Sequence, residues 1–211
     1  MIQDFTLIHI GKCGGTTAVH TFRENNISFE RKHLCEVQYE NHKKYVILIR
    51  NPISRFVSAF NWRKYKVLGE KSQEQRFSGE SQLISKFNEV NNLAEVLYDK
   101  DGIMQFDLSK HYIHHIREDI SFYTSKLLKN CKKEDFIKVI LTETIREDMK
   151  NLFGINELNF HSKNNREKYS TRLSETGYKN LKKYLEKDYQ CIERLFELEF
   201  ISNYQYEILS K

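Results

Sequence analysis

Apolar residues along this chain gather in short dense runs, each closed by a residue that ends it. Phe5 to Ile10 reads FTLIHI, Tyr45 to Ile49 reads YVILI, and Phe136 to Leu141 reads FIKVIL. Runs this short, and rich in β-branched residues, predict strands buried on both faces. Ile27 to Glu30 predicts a weaker strand between the first two. Helical spacing follows each run. Thr16 to Asn25 places Val19 and Phe22 on one face, and Pro52 to about Tyr65 places Phe56, Ala59 and Phe60 inward. Pro52 suits the first turn of that helix, where its missing N–H costs nothing. Thr144-Ile145-Arg146-Glu147 matches a capping box, with Gly154 as the C-cap of the helix it opens. One long helix is predicted from about Ser174, with Tyr178, Leu181, Leu185, Ile192, Leu195 and Phe196 as its apolar stripe. Residues 66 to 135 predict several short helices without clear boundaries. Strand, loop and helix recur at least three times, the signature of a parallel sheet covered by helices.

Composition narrows this picture. The chain has 211 residues, 39% of them hydrophobic, with one proline and eight glycines. That is enough for a real core and too little for a flexible linker, so a single domain over 1–211 is expected. The net charge of +5 suits an anionic ligand, but the basic residues are interleaved with 29 acids. No stripe of the kind that binds nucleic acid is expected. Cys13, Cys35, Cys131 and Cys191 form no CxxC pair, which points to reduced thiols. No apolar run has membrane length, and Met1-Ile2-Gln3-Asp4 lacks the features of a signal peptide. A cytoplasmic protein without membrane insertion is the expectation.

Two motifs carry chemistry. The first strand runs through Gly11-Lys12-Cys13-Gly14-Gly15-Thr16-Thr17 into a helix. Glycines let a backbone approach a ligand closely. The first amides of the helix lack internal partners and its dipole favours an anion. Lys12 adds a full charge, and Thr16 and Thr17 add hydroxyls. The nucleotide triphosphatase loop GxxxxGK[ST] sets its lysine just before the helix, whereas Lys12 leads this loop. The second motif is Arg50-Asn51-Pro52-Ile53-Ser54-Arg55-Phe56-Val57-Ser58. Arg50 stands at a strand end where a Mg²⁺-binding acid would stand in such enzymes, and Ser58 follows two turns into the next helix. An arginine fork beside a hydroxyl grips phosphate. Two anion sites on one sheet edge imply a ligand with two separated phosphate-like groups, and no metal is expected.

Read as IGKCGGTT and RNPISRFVSAF, these motifs resemble those of the sulfotransferases that use 3′-phosphoadenosine 5′-phosphosulfate (PAPS), closest to the carbohydrate 2-O-type enzymes. The family patterns are xPKxGGTS and RxPxxRxxSxF. The chain departs from them with Gly11 in place of proline and Cys13 in place of threonine. The likeness covers the first 60 residues well and thins later, where Glu143, Leu158 to Arg166 and Asp188 are the matches. It implies a P-loop-like three-layer α/β fold, with a parallel central sheet flanked by helices. It also implies metal-free in-line transfer of a sulfuryl group to a hydroxyl of a small-molecule or glycan acceptor. Lys12 would stabilise the bridging oxygen. The loop Cys13, Gly14, Gly15, Thr16 and Thr17 would hold the 5′-phosphate, and Arg50 and Ser58 the 3′-phosphate. Lys163, in a basic cluster with Arg166 and Lys168, would cover that phosphate. A histidine near the sheet edge serves some members as general base, which points to His33, with Glu36 next. Two other readings are a phosphotransferase or nucleotide hydrolase with a degenerate loop, and a nucleotide-binding protein without turnover.

Weaker signals read more plainly. On a helix, His111, His114 and His115 would share a face, suited to packing or acceptor contact rather than zinc. His9 reads as a satisfied buried histidine, and Cys13 as a small residue filling a turn, with a reactive thiol as the alternative. Trp62, Arg63 and Tyr65 are candidates to line an acceptor pocket.

Overall fold

The computed structural model describes residues 2, 4–159 and 169–211. In chain order the elements are β1 (Phe5–His9), α1 (Gly15–Glu24), β2 (Phe29–Lys32), β3 (Tyr45–Ile49), α2 (Pro52–Lys64), α3 (Glu80–Ser85), α4 (Val90–Glu95), α5 (Ile120–Asn130), β4 (Ile137–Leu141), α6 (Ile145–Phe153), α7 (Glu175–Tyr184), α8 (Glu186–Glu197) and α9 (Asn203–Ser210). A π-helical turn, Tyr65–Gly69, follows α2, and a 3-10 turn spans Leu108–Lys110.

The described residues divide into two compact units. The first draws on Met1–Pro52, Glu118–Lys163 and Asp188–Lys211, the second on Ile53–Arg117 and Asn164–Lys187. Two of the boundaries fall inside α2 and α8 rather than in a proline- or glycine-rich linker, so composition does not mark them.

The first unit is an α/β layer structure. Its strands form one parallel sheet in the order β2-β1-β3-β4. Every residue of β1 and β3 is buried, including the polar Thr6 and His9, while the edge strand β2 is largely exposed. Side chains from α1, α5, α6, α8 and α9 pack with the strands into one core that includes Phe22, Leu127, Met149, Ile192 and Leu209. Because all four strands run the same way, their carboxyl ends share one edge of the sheet. The strand order reverses direction around β1 and β3, and open α/β sheets bind ligands at such a point.

Most elements lie within two residues of the sequence reading, and the departures have local causes. β2 starts at Phe29 rather than Ile27 because Ile27 belongs to the end of α1. Asn26 takes a left-handed φ of 53°, and the Ile27 amide donates to the Phe22 carbonyl at 2.9 Å. This is a Schellman closure, with asparagine in the usual glycine position. The capping box at Thr144 does not form. The Thr144 hydroxyl instead donates to Asp148 Oδ2 at 2.9 Å, and the same oxygen accepts the Leu141 amide at 2.8 Å. Gly154 does close α6, at φ 71°. The long C-terminal helix is two helices, broken at Leu185, where no glycine or proline announces the break. Ser174 caps α7, accepting the Gly177 amide at 3.0 Å. Among the described residues, no helix is long and apolar enough to cross a membrane.

The second unit is helical and is organised by a buried ion pair. Arg63 Nε and Nη2 donate to Glu80 Oε1 and Oε2 at 2.9 and 2.5 Å, and both side chains are essentially inaccessible. Arg63 Nη1 also donates to Gln73 Oε1, and the His114 amide donates to Glu80 Oε1 at 2.8 Å. Every lone pair and proton of such a pair must be satisfied, because removing one partner strands a charge in low dielectric. Glu80→Ala is therefore expected to destabilise the protein by about 3–5 kcal/mol. The double change Arg63→Met/Glu80→Leu should recover most of that loss, with both effects read from urea unfolding midpoints.

Candidate functional site

The carboxyl edge of the sheet gathers the residues that the sequence singles out in the first unit. At the end of β1 the chain turns through Gly11 and Lys12 to Gly14, the N-cap of α1. Gly14 has a φ of 74°, and Lys12 also lies in the left-handed region at 69°. For lysine that conformation costs about 1–3 kcal/mol, and such strain concentrates at functional sites. Gly14 has no side chain to cap the first amides of α1, and no acid lies in its first turn. The helix N-terminus therefore keeps its positive end uncompensated, suited to an anion. Thr16 is exposed and Thr17 is buried. Cys13 is fully buried, its amide donates to the Ile10 carbonyl at 3.3 Å, and its sulfur sits 3.8 Å from the Gly11 carbonyl. It fills the turn, as the simpler reading expected, and brings no exposed thiol to the site.

Arg50 leaves the end of β3 beside this loop. Its Nη1 donates to the Lys12 carbonyl at 3.5 Å, and its Nε lies 3.9 Å from Glu143 Oε1, at the end of β4. That same Glu143 oxygen accepts the Asn51 amide at 3.1 Å. The Asn51 side-chain amide reaches the carbonyls of Ile208, Leu209 and Lys211 at 3.4, 3.2 and 2.8 Å, closing the exposed end of α9. Glu143 was legible only as a family match, and nothing in the sequence near Asn51 marks partners at the far end of the chain. Ser58 lies on α2, half-buried, in the second unit. Lys163, Arg166 and Lys168 lie outside the described residues.

His33 follows β2 directly and is half-buried. Its Nδ1 lies 2.7 Å from the backbone carbonyl of His9, which can only accept, so Nδ1 carries the hydrogen. Nε2 is then the basic nitrogen. The next candidate base, Glu36, is exposed and paired with Lys126. His9 is buried, as expected, but its Nδ1 has no hydrogen-bond partner among the described residues. Its ring lies against Gly15, where a β-carbon would meet the ring at 1.9 Å. Burial, with smaller contributions from His33 and Arg31, holds the His9 pKa down at about 3.

The histidine trio does not share a helix face. Residues 113–117 form a turn with His115 at φ 67°. The rings of His114 and His115 pack at 3.9 Å, while His111 stacks on Phe106 at 4.9 Å. Arg63 is buried in its ion pair and lines no pocket. Trp62 and Tyr65 are half-buried side by side, with Lys66 over both rings. Arg55, the second arginine of its motif, is fully buried and donates to the His115 carbonyl at 2.6 Å. No family model, curated protein or solved structure matches this chain.

Two outcomes follow from His9. Gly15→Ala should destabilise the protein by about 1–3 kcal/mol through overpacking, and much less in a His9→Ala background, as a double-mutant cycle would show. The unfolded chain takes up a proton at His9 below pH 6.5 and the folded chain does not until about pH 3, so stability present above 6.5 is lost as pH falls. Between pH 7 and 5 this amounts to about 2 kcal/mol for one such group. In unfolding titrations His9→Phe should lose less stability over that interval by about this amount.

Proposed function

We propose that this protein is a sulfotransferase that moves a sulfuryl group from PAPS to a hydroxyl of an acceptor, with a carbohydrate as the favoured acceptor class. One observation carries the reading. Adjoining strand ends present a glycine-rich loop led by Lys12, an uncapped helix N-terminus and Arg50, with the Arg50 guanidinium hydrogen-bonded to the Lys12 carbonyl. The donors in this corner are cationic or amide groups. Arginine stands where a P-loop enzyme would place its metal-binding acid, which favours sulfuryl over Mg²⁺-dependent phosphoryl transfer.

The residues present fit the donor. The amides of Gly14, Gly15, Thr16 and Thr17 would hold the 5′-phosphate at the N-terminus of α1, where no first-turn acid opposes it. Arg50 would grip the 3′-phosphate. When bound, PAPS supplies an activated sulfuryl group on a phosphate leaving group. Lys12 would hold its ammonium at the bridging oxygen, where negative charge develops. His33 would accept the acceptor hydroxyl's proton at Nε2, because its Nδ1 is committed to the His9 carbonyl.

The test is calorimetric titration with 3′-phosphoadenosine 5′-phosphate in EDTA, run beside ATP with Mg²⁺. Metal-free binding near micromolar, about −8 kcal/mol, is expected. Arg50→Ala should weaken it by about 10- to 100-fold, the worth of a charge-assisted hydrogen bond. Against a panel of sugar acceptors, His33→Ala should lower turnover by about 10²- to 10⁴-fold while affinity for the nucleotide holds. Binding of ATP·Mg²⁺ alone would replace this reading with a phosphotransferase, and nucleotide binding without turnover on any acceptor would leave a binding protein.

A further inference from the structure

His33 is flanked by two rings nearly parallel to its own. The His9 ring centroid is 4.2 Å away at an interplanar angle of 25°, and that of Tyr123 is 6.5 Å away at 18°. His9 also touches His33 through its backbone, since its carbonyl accepts from His33 Nδ1. The Cδ2–Nε2–Cε1 side of the same His9 ring lies over Gly15, the first residue of α1. One side chain thus contacts both the first turn of the helix and the candidate base. A buried polar ring whose Nδ1 has no partner among the described residues costs free energy that phenylalanine would not. Hydrogen bonding through Nδ1 is therefore not what this ring contributes. Its shape and its two contacts are.

We infer that His9 is a positioning residue: its ring sets the spacing between the first turn of α1 and His33 and holds the His33 imidazole in the Nδ1–H tautomer. The inference rests on reading His33 as the base. The His9 carbonyl sets which His33 nitrogen carries the hydrogen, and the His9 ring stacked at 4.2 Å keeps the imidazole where that hydrogen bond forms. Because His9 stays neutral down to about pH 3, it does not compete with His33 for the acceptor's proton. Anion cradle and base then share a single support, so a shift of the helix start is transmitted to the base through one ring.

The test uses the full chain and two readouts. The first is ¹⁵N NMR of the histidine side chains without nucleotide, which reads the tautomer directly. Wild type should show His33 predominantly as the Nδ1–H form, His9→Ala should show a mixture, and His9→Phe should restore the single form. The second readout is kinetic. His9→Ala should lower kcat by about 10- to 100-fold, the cost of a misplaced catalytic group, with His9→Phe recovering most of it. Affinity for 3′-phosphoadenosine 5′-phosphate should change by less than about threefold, which separates positioning from collapse of the cradle. If His9→Ala does not fold, His9→Leu keeps the volume without the flat ring and takes its place. The inference is overturned if the ring-deleted variant keeps a single tautomer. It is also overturned if His9→Phe is as impaired as His9→Ala, or if affinity and kcat fall together. Failure of wild type to bind the nucleotide would strike the sulfotransferase reading instead, and the NMR arm would still decide the role of His9.

Discussion

The imidazole of His9 lies so close to Gly15 that a β-carbon there would come within 1.9 Å of the ring. This contact determines where α1 can begin relative to the end of β1. Because the ring occupies that space, residue 15 must be glycine, and the helix can start directly above the sheet edge. Its first amides are thereby aimed past the strand ends, and Gly14 at φ 74° makes the turn that delivers them. This steric limit acts together with the hydrogen bonds of the loop, from the Cys13 amide to the Ile10 carbonyl and from Arg50 to the Lys12 carbonyl.

Around that limit, the first unit ties its strand ends together with polar contacts that would be costly in an apolar core. Arg50 reaches the Lys12 carbonyl, Glu143 holds both Arg50 Nε and the Asn51 amide, and Asn51 closes the final carbonyls of α9. The ends of β1, β3 and β4 and the C-terminus thus meet in one network. His33 adds the end of β2 through the His9 carbonyl. Within the second unit, the corresponding organising element is the Arg63–Glu80 pair, which joins α2 to α3 and to the His114 backbone. The two units place their charge differently, the first at a partly exposed sheet edge and the second in a buried pair.

The sequence revealed elements where the signal is local and missed what depends on distant partners. FTLIHI, YVILI and FIKVIL became β1, β3 and β4 almost residue for residue, because a short, mostly apolar β-branched run needs only a covered sheet. The capping box failed because the Thr144 hydroxyl, instead of accepting the Glu147 amide, donates to Asp148, one turn on, which also accepts the Leu141 amide. The histidine trio failed because its spacing implies one face only on a helix, and a left-handed His115 removes the helix. Arg63 read in the sequence as a candidate to line an acceptor pocket, yet it is buried, because Glu80 is positioned to pair with it only after α3 has packed.

By itself, the sequence determined the strand–loop–helix order, the parallel sheet, the glycine-rich turn led by Lys12 and the arginine at the end of β3. Each follows from rules acting over a few neighbouring residues: backbone freedom at glycine, periodicity of apolar side chains, and the orphan amides of a helix start. Only the tertiary structure decided that β1 lies between β2 and β3, that Asn51 closes the far end of the chain, and that His9 stands between Gly15 and His33. These depend on contacts between residues far apart in sequence, and no local preference at either partner encodes the other.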